Sequence, residues 1–289
     1  MNKIDLHIHT NRSDGEFSPK ETVEKIAKAG IKIFAITDHD EIGALEEAAK
    51  VAQELGLTMI PGVEFSAKHN DVRINILAYG VNVKCGKIDK MIAYAKKENV
   101  KRIKRIIADL DSQFGVRFPE VKLEAMFKET SSFRSAHVAK MLIEYGYIDN
   151  IEQRSKYFDH MNVDMTNFEV EAKYVIDTIN ACGGIAVLAH PRTYMNKKKL
   201  GYDQIKNMVA ELKELGLGGL EVYHSMHNEV DVEAFSNMAK EHNLLISCGS
   251  DYHGPVTKPK VELGIVTEYG LEMTEIKEIT ILDKLLNKK

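Results

Sequence analysis

The chain opens with Asp5-Leu6-His7-Ile8-His9-Thr10, and a late hydrophobic run closes on Gly249-Ser250-Asp251-Tyr252-His253. Histidines two residues apart on a strand share a face, because side chains alternate with period two. His7 and His9 can therefore hold one cation from one side. The second cluster, Asp251 and His253, predicts that the fold brings both ends of the sequence around one ion site. Crowded His, Asp and Glu cost stability unless a counter-charge sits among them.

More residues of this kind follow apolar runs. Thr37-Asp38-His39-Asp40 closes one run, and Pro61-Gly62-Val63-Glu64 closes the next. Ala189-His190-Pro191 follows Ile185-Ala186-Val187-Leu188, and Glu221 and Tyr223-His224 end the run after that. Each lies at the C-terminal end of a predicted strand, the functional face of parallel α/β barrels. One strand-end histidine means little; six strand ends carrying His, Asp or Glu form a pattern. His69, in a polar turn, and His160, His227 and His242 read as surface residues.

The elements that must position these groups alternate. Residues 3–8 read as a strand. Ser18-Pro19-Lys20-Glu21 is a capping box with proline at the first helical position, and Gly30 ends that helix. Strand 31–37, helix 42–55 and strand 57–60 follow. This βαβαβ rhythm implies parallel strands with helices outside. Residues 72–80 read as a strand with Arg73, Asn75, Leu77 and Tyr79 on one face and Ile74, Ile76 and Ala78 on the other. From about 87 to 180 the pattern is helical and charged. Its basic segment, Lys96, Lys97, Lys101, Arg102, Lys104 and Arg105, reads as a solvated helix face. Strands at 185–190, 219–223 and 244–249 and helices at 203–215 and 229–242 then resume the rhythm.

The 289 residues fit one α/β barrel, and 44% hydrophobic with 28% charged residues fits a soluble globular chain. A net charge of −4 supplies no global basic field for long duplex nucleic acid. No stretch approaches the ~20 apolar residues of a membrane span, and the charged opening strand predicts no signal peptide. Cys85, Cys182 and Cys248 are odd in number and widely separated. They read as buried or incidental thiols in a reducing cytoplasm, with Cys248 in the core.

Taken together, the motifs resemble those of the polymerase and histidinol phosphatase (PHP) family of metal-dependent phosphoesterases. The matching stretches are Asp-Leu-His-Ile-His-Thr, Ser13-Asp14-Gly15, Ile36-Thr37-Asp38-His39-Asp40, Pro61-Gly62-Val63-Glu64-Phe65-Ser66, Leu188-Ala189-His190-Pro191 and Gly249-Ser250-Asp251-Tyr252-His253. They span nearly the whole chain in the expected order. The resemblance implies an α/β fold, a distorted (β/α)7 TIM-like barrel forming one domain over 1–289, with an all-helical insertion at about 87–166. It also implies two or three divalent metal ions. Mixed imidazole and carboxylate ligands suit Mn, Fe or Zn, and the lack of cysteine ligands argues against a structural zinc.

Carried over by motif, His7, His9, Glu64 and Asp251 form a first ion site. Glu64 bridges to a second, shared with His190, and Asp14, His39 and His253 form a third. The second departs from the family pattern: Asn75 stands where a histidine is usual, and offers only an amide oxygen. In the insertion, Phe133-Arg134-Ser135-Ala136-His137-Val138-Ala139 resembles the stand-alone branch that acts on nucleotide bisphosphates and short RNA 5′ ends. Arg134 and His137 stand one residue further apart than the usual Arg-Pro-His.

The implied reaction is hydrolysis of a phosphate monoester by a hydroxide formed at the ions. Arg134 would clamp a phosphate and His137 would donate to one. His224 would either protonate the leaving oxygen or stand solvated. Asp38 and Asp40 would orient ligand histidines or structure their loop. The implied partner is a 3′,5′-bisphosphonucleotide or a short oligoribonucleotide. A small metabolite such as histidinol phosphate, and a non-catalytic metal-stabilised module, are the alternatives.

Overall fold

The computed structural model describes residues 3–129, 134–161, 168–268 and 278–287. Strands β1 (Lys3–Ile8), β2 (Ile31–Ile36) and β3 (Thr58–His69) pair in parallel. Between them lie α1 (Pro19–Lys28) and α2 (Leu45–Glu54). The Ser18 hydroxyl accepts the Glu21 backbone N–H while the Glu21 carboxylate accepts the Ser18 N–H, the reciprocal cap that the sequence predicts. Strand β3 does not stop near residue 60. It continues through Glu64, so that residue lies within a strand rather than at its end. The extension exists because β4 (Val72–Tyr79) folds back on it as an antiparallel partner along its full length. Asn70, at φ 51°, takes the left-handed position that this two-residue turn requires.

The helical stretch holds α3 (Gly86–Phe114), α4 (Glu120–Glu129), α5 (Ser135–Glu144), a short 3-10 turn and α6 (Ser155–Phe158). Ile103, Ile106, Leu110, Val138 and Leu142 give these helices a small core of their own. Phe133 and the predicted end of the insertion near 166 lie outside the described residues. Arg102 departs from the solvated face expected of α3. It is buried, donates to Asn99 Oδ1 at 2.6 Å and stands 3.6 Å from Glu169. A two-residue strand β5 (Val170–Glu171) joins β3 and leads into α7 (Ala172–Ala181).

The remaining elements are β6 (Ile185–Leu188), α8 (Arg192–Lys198), α9 (Tyr202–Glu214), β7 (Gly219–His224), α10 (Glu229–Glu241), β8 (Leu245–Gly249) and α11 (Ile281–Leu286). The sheet runs β1-β2-β3-β4-β6-β7-β8, antiparallel on both sides of β4 and parallel elsewhere. Asp251 N–H donates to His7 O at 2.8 Å and His9 N–H to Tyr252 O at 2.9 Å, which brings the last strand's exit against the first strand. Gly249 makes this approach possible, because a Cβ there would lie 2.1 Å from His7 Cβ. The result is a nearly closed α/β barrel. Ile4, Leu6, Ile60, Leu77, Tyr79 and Val187 fill its interior, and the Tyr79 hydroxyl donates to Leu6 O at 2.8 Å.

Two sequence expectations need correction here. Cys85 and Cys182 form a disulfide instead of remaining free thiols. Cys85 caps the start of α3 and Cys182 the end of α7, and both helices pack on the same apolar layer, so residues 97 apart in sequence become neighbours. His227 is fully buried rather than on the surface, because its Nδ1 satisfies Val222 O at 2.8 Å beneath α10. Cys248 is buried as expected. Among the described residues no helix is long and apolar enough to cross a membrane.

Closing a loop of this length constrains the unfolded chain, so reduction is expected to lower stability by about 2–4 kcal/mol. Urea unfolding with and without dithiothreitol measures this. A Cys85→Ser variant should already sit at the reduced value and ignore the reductant.

Candidate metal centre

Strand ends, together with Glu64 inside β3, deliver the reactive groups to one mouth of the barrel. The turn carrying Asp14 folds back because the buried Asp38 carboxylate accepts three donors: Thr10 N–H at 2.8 Å, Thr10 Oγ1 at 2.6 Å and Ser13 Oγ at 2.5 Å. Burial pushes the Asp38 carboxyl up to about 6, against the opposing pull of His9 and these donors. Asp5 ties the two ends of the chain together, accepting Ser250 N–H and Gly264 N–H, each at 2.9 Å. Asp40, His190 and Asp251 hold positive φ of 48°, 28° and 60°, a cost tolerated where the surroundings fix the backbone.

Glu64 stands at the middle with no exposure. Its Oε2 lies 3.3 Å from His7 Nε2, 3.3 Å from His9 Nε2 and 3.0 Å from His39 Nδ1. Its Oε1 lies 2.9 Å from His190 Nε2. Asp251 Oδ1 lies 3.5 Å from His7, 3.3 Å from His9 and 3.4 Å from His253. Asp14 lies 3.2 Å from His253 Nε2 and 3.9 Å from His39 Nε2. Three groups have ligand atoms close enough to share an ion: His9, Asp14, His39 and His253; His7, Glu64 and His190; and His7, His224 and Asp251.

The electrostatics follow from this crowding. Burial alone would raise the Glu64 carboxyl, yet His39, His7 and His190 hold it well below the usual carboxylate range. Burial likewise opposes ionised Asp251, but Lys258, His7 and His253 outweigh it. Burial would depress His9, yet Asp251 and Glu64 lift it to about 9. His39 goes the other way, to about 3, through burial and the neighbouring Arg134 guanidinium.

Many of these atoms are buried without a hydrogen-bond partner: His7 Nε2, both ring nitrogens of His9, Asp14 Oδ1, His39 Nδ1, Glu64 Oε2 and Asp251 Oδ1. Buried polar atoms are normally satisfied. Lone pairs from six side chains converging without donors are what divalent cations satisfy, and the imidazole and carboxylate set suits transition metals. Tautomers agree for two rings. His7 Nδ1 donates to Glu221 Oε1 at 2.9 Å and His253 Nδ1 to Asp251 O at 2.9 Å, which leaves each Nε2 lone pair facing the centre. Glu221, a strand-end acid without a role in the sequence reading, also accepts His190 N–H at 2.8 Å. It thereby orients the His7 ring, as acids behind metal-binding histidines do, and holds the backbone that carries His190.

Four predicted residues sit differently from expectation. The Asn75 amide N–H2 donates to Glu64 Oε1 at 2.7 Å instead of presenting its oxygen to an ion, because a carboxylate only accepts. His224 is fully buried rather than solvated; its Nδ1 accepts Met226 N–H at 3.1 Å and its Nε2 lies 3.4 Å from Asp251 Oδ2. Arg134 is buried and committed, donating to Asp40 at 2.7 Å and Ser66 Oγ at 2.8 Å. His137 Nδ1 accepts Arg134 N–H at 3.0 Å, and burial pushes this imidazole down to about 4.

Two lysines escaped the sequence reading. Lys258 pairs with Asp251 Oδ2. Lys197, exposed on α8, has Arg73, Lys258 and Arg154 around it. Neither stands in a spacing pattern with the ligand motifs, so only the fold reveals them.

Such a centre at the mouth of an α/β barrel defines a metal-dependent hydrolase. The PHP domain family matches residues 5–281. The chain is 31% identical over 255 residues to a 5′-3′ exoribonuclease of Haemophilus influenzae, covering 88% of this chain and 90% of that protein. It is 25% identical to a 3′,5′-nucleoside bisphosphate phosphatase of Chromobacterium violaceum, covering 88% of each. A solved structure from Bifidobacterium adolescentis, inferred to be a metal-dependent phosphoesterase, superposes with a TM-score of 0.79 at 28% identity and 92% coverage of both chains. The chain belongs to the PHP family and is a metal-dependent phosphoesterase.

Burial pushes His227 down to about 3, so the folded state keeps it neutral. An unfolded histidine titrates near 6.5. The unfolded state therefore takes up the extra proton below that value, and stability falls as pH drops from about 6.5 toward 3. His227→Leu should reduce the slope of unfolding free energy against pH by up to one proton, about 1.4 kcal/mol per pH unit. Metal-free protein unfolded by urea across this range supplies the measurement; an unchanged slope would place the proton uptake elsewhere.

Proposed function

We propose that this phosphoesterase hydrolyses phosphate esters of nucleotides, either 3′,5′-bisphosphonucleotides or the 5′ ends of short RNAs. The observation that carries the reading is the set of unpartnered buried ligand atoms around Glu64, with cations disposed beside them. The named activities of the Haemophilus and Chromobacterium relatives support the nucleotide class. In this reading His7, His9, Glu64 and Asp251 hold one ion, Glu64 and His190 a second, and Asp14, His39 and His253 a third. Bound divalent ions would lower the pKa of a water and neutralise charge on the phosphoryl oxygens. Lys258 and Lys197 add positive charge at the mouth. Arg134 holds Asp40, and its backbone N–H meets His137 Nδ1 at the start of α5. Its role is to shape the phosphate pocket rather than to swing freely onto substrate.

A screen with Mn²⁺ for released phosphate and released mononucleotide across bisphosphonucleotides, 5′-phosphorylated RNA oligomers and sugar phosphates tests the substrate class. Release from sugar phosphates alone overturns the nucleotide assignment.

Asp251→Ala and His9→Ala should each abolish hydrolysis and lower the bound metal. Each removes a ligand that no neighbour replaces and leaves the remaining acids to repel one another. Full activity at unchanged metal content in either variant would sink the ion assignment.

The ion between Glu64 and His190 should be the loosest, because Asn75 spends its amide on Glu64. Dialysis against a mild chelator followed by metal analysis should show it leaving first, and Asn75→His should retain it, since imidazole outcompetes an amide for these metals. Equal retention of every ion by the parent protein would contradict this.

A further inference from the structure

We propose that the outward face of α3, with the groove between α3 and α7, holds the single-stranded RNA that trails from the scissile end; this rests on the RNA arm of the nucleotide reading above. Exposed basic residues recur along that face at Lys87, Lys90, Lys97, Lys101, Lys104 and Arg105, with Tyr94 among them. Steps of three and four residues put them in one stripe, about 27 Å long at 1.5 Å per residue. Glu98 interrupts the stripe, and Lys101 covers it at 2.6 Å. Lys87, Lys90 and Lys97 meet no acid among the described residues. A chain with a net charge of −4 has thus gathered surplus positive charge along one helix face.

Where the stripe passes Tyr94, an apolar groove of about 390 Å³ opens, lined by Tyr94, Val170, Glu171 and Tyr174. Both tyrosines stay about half exposed, at 48% and 46%, although large aromatic rings gain from burial. The acids beside them are already spent: Glu171 meets Lys68 at 3.1 Å, and Asp177 meets Lys173 at 2.7 Å. Accessible rings flanked by free ammonium groups suit a single strand. Its bases stack on the rings whatever their sequence, and the lysines meet its phosphates.

The groove stands beside the mouth and outside the ion cluster. Val170 pairs with Ala67 on β3, which places it roughly 10 Å along the strand from Glu64. Helix α3 passes the same rim. Its Lys96 donates to Glu41 at 2.7 Å, next to Asp40, and its Arg102 stands 3.6 Å from Glu169, the residue before Val170. At a rise of ~3.4 Å per stacked nucleotide, the separation is about three nucleotides. An RNA with its 5′ end at the centre therefore reaches the tyrosines near its third or fourth nucleotide and continues along the lysines. A dinucleotide is too short to do so.

The test measures KM for 5′-phosphorylated oligoribonucleotides from dinucleotide to octamer, using metal-loaded protein. It compares the parent, a Tyr94→Ala, Tyr174→Ala double variant, a Tyr94→Phe variant and a Lys90→Gln, Lys97→Gln double variant. In the parent, KM should fall about tenfold between dinucleotide and octamer, the scale of a base stacked on a ring. The alanine variant should lose that fall, and Tyr94→Phe should keep it, because the ring does the stacking. The lysine variant should lower the slope of log KM against log salt for the octamer by about 1.4, two contacts at ~0.7 each. A parent KM that ignores length, alanine variants that keep the length effect, or equal losses on dinucleotide and octamer would each overturn the assignment. So would a parent dimer that dissociates in the alanine variant by light scattering, which would give the groove to a second copy of the chain. A parent that cleaves bisphosphonucleotides but no RNA overturns this proposal and leaves the nucleotide reading standing; a parent that cleaves sugar phosphates alone overturns the nucleotide reading itself.

Discussion

Glu64 is a carboxylate with no exposure, ringed by His7, His9, His39 and His190. An ionised acid taken out of water costs several kcal/mol unless positive charge or donors meet it. Much of the surrounding structure follows from that constraint. Of the rings that face Glu64, His7 is fixed from behind by a buried acid, and other buried acids hold the backbone around the centre. Glu221 holds His7 and the His190 backbone, Asp38 holds the Asp14 turn, and Asp5 ties β1 to the segment beyond β8. Each layer rests on the next.

The barrel supplies the convergence. In a wholly parallel sheet every strand would bring its C-terminal end to the mouth. Here β4 runs backwards, which leaves room for β3 to continue past the mouth and carry Glu64 and Ser66 along it. Ser66 then reaches both Asp40 and Arg134, so the same reversal that centres Glu64 also anchors the start of α5 against the barrel. Through this contact the helical insertion, which has its own apolar core, becomes part of the site. The Cys85–Cys182 bond fastens it at the other end.

Local signals made most of this legible in the sequence. Histidines at period two, the Ser18 capping box and the apolar runs before His39, His190 and Asp251 are short-range features, and each predicted its element. The misses were all matters of tertiary context. Nothing near residue 60 says that β3 continues, because its length is set by β4 pairing. His227 looks polar until α10 covers it, and Arg102 belongs to a charged helix until Glu169 arrives from 67 residues away. Cys85 and Cys182 are partners only once α3 and α7 share a layer. Lys258 carries no motif, since its contact with Asp251 depends on a loop that Glu16 holds from the far end of the chain.

The centre is also uneven, and the unevenness has one chemical origin. Around His9, Asp14, His39 and His253, acids and ring nitrogens face one another with few donors between them, an arrangement that only cations complete. On the His190 side, Glu64 Oε1 already receives the Asn75 amide N–H2. A donor at that position competes with a cation for the same oxygen, whereas an imidazole lone pair would have joined Glu64 in binding one. The two oxygens of Glu64 therefore differ in kind: Oε2 is left bare toward three histidines, and Oε1 is partly satisfied by protein. A single amide in place of a ring thus leaves the Glu64 carboxylate barest toward His7, His9 and His39, the side on which Asp251 also stands.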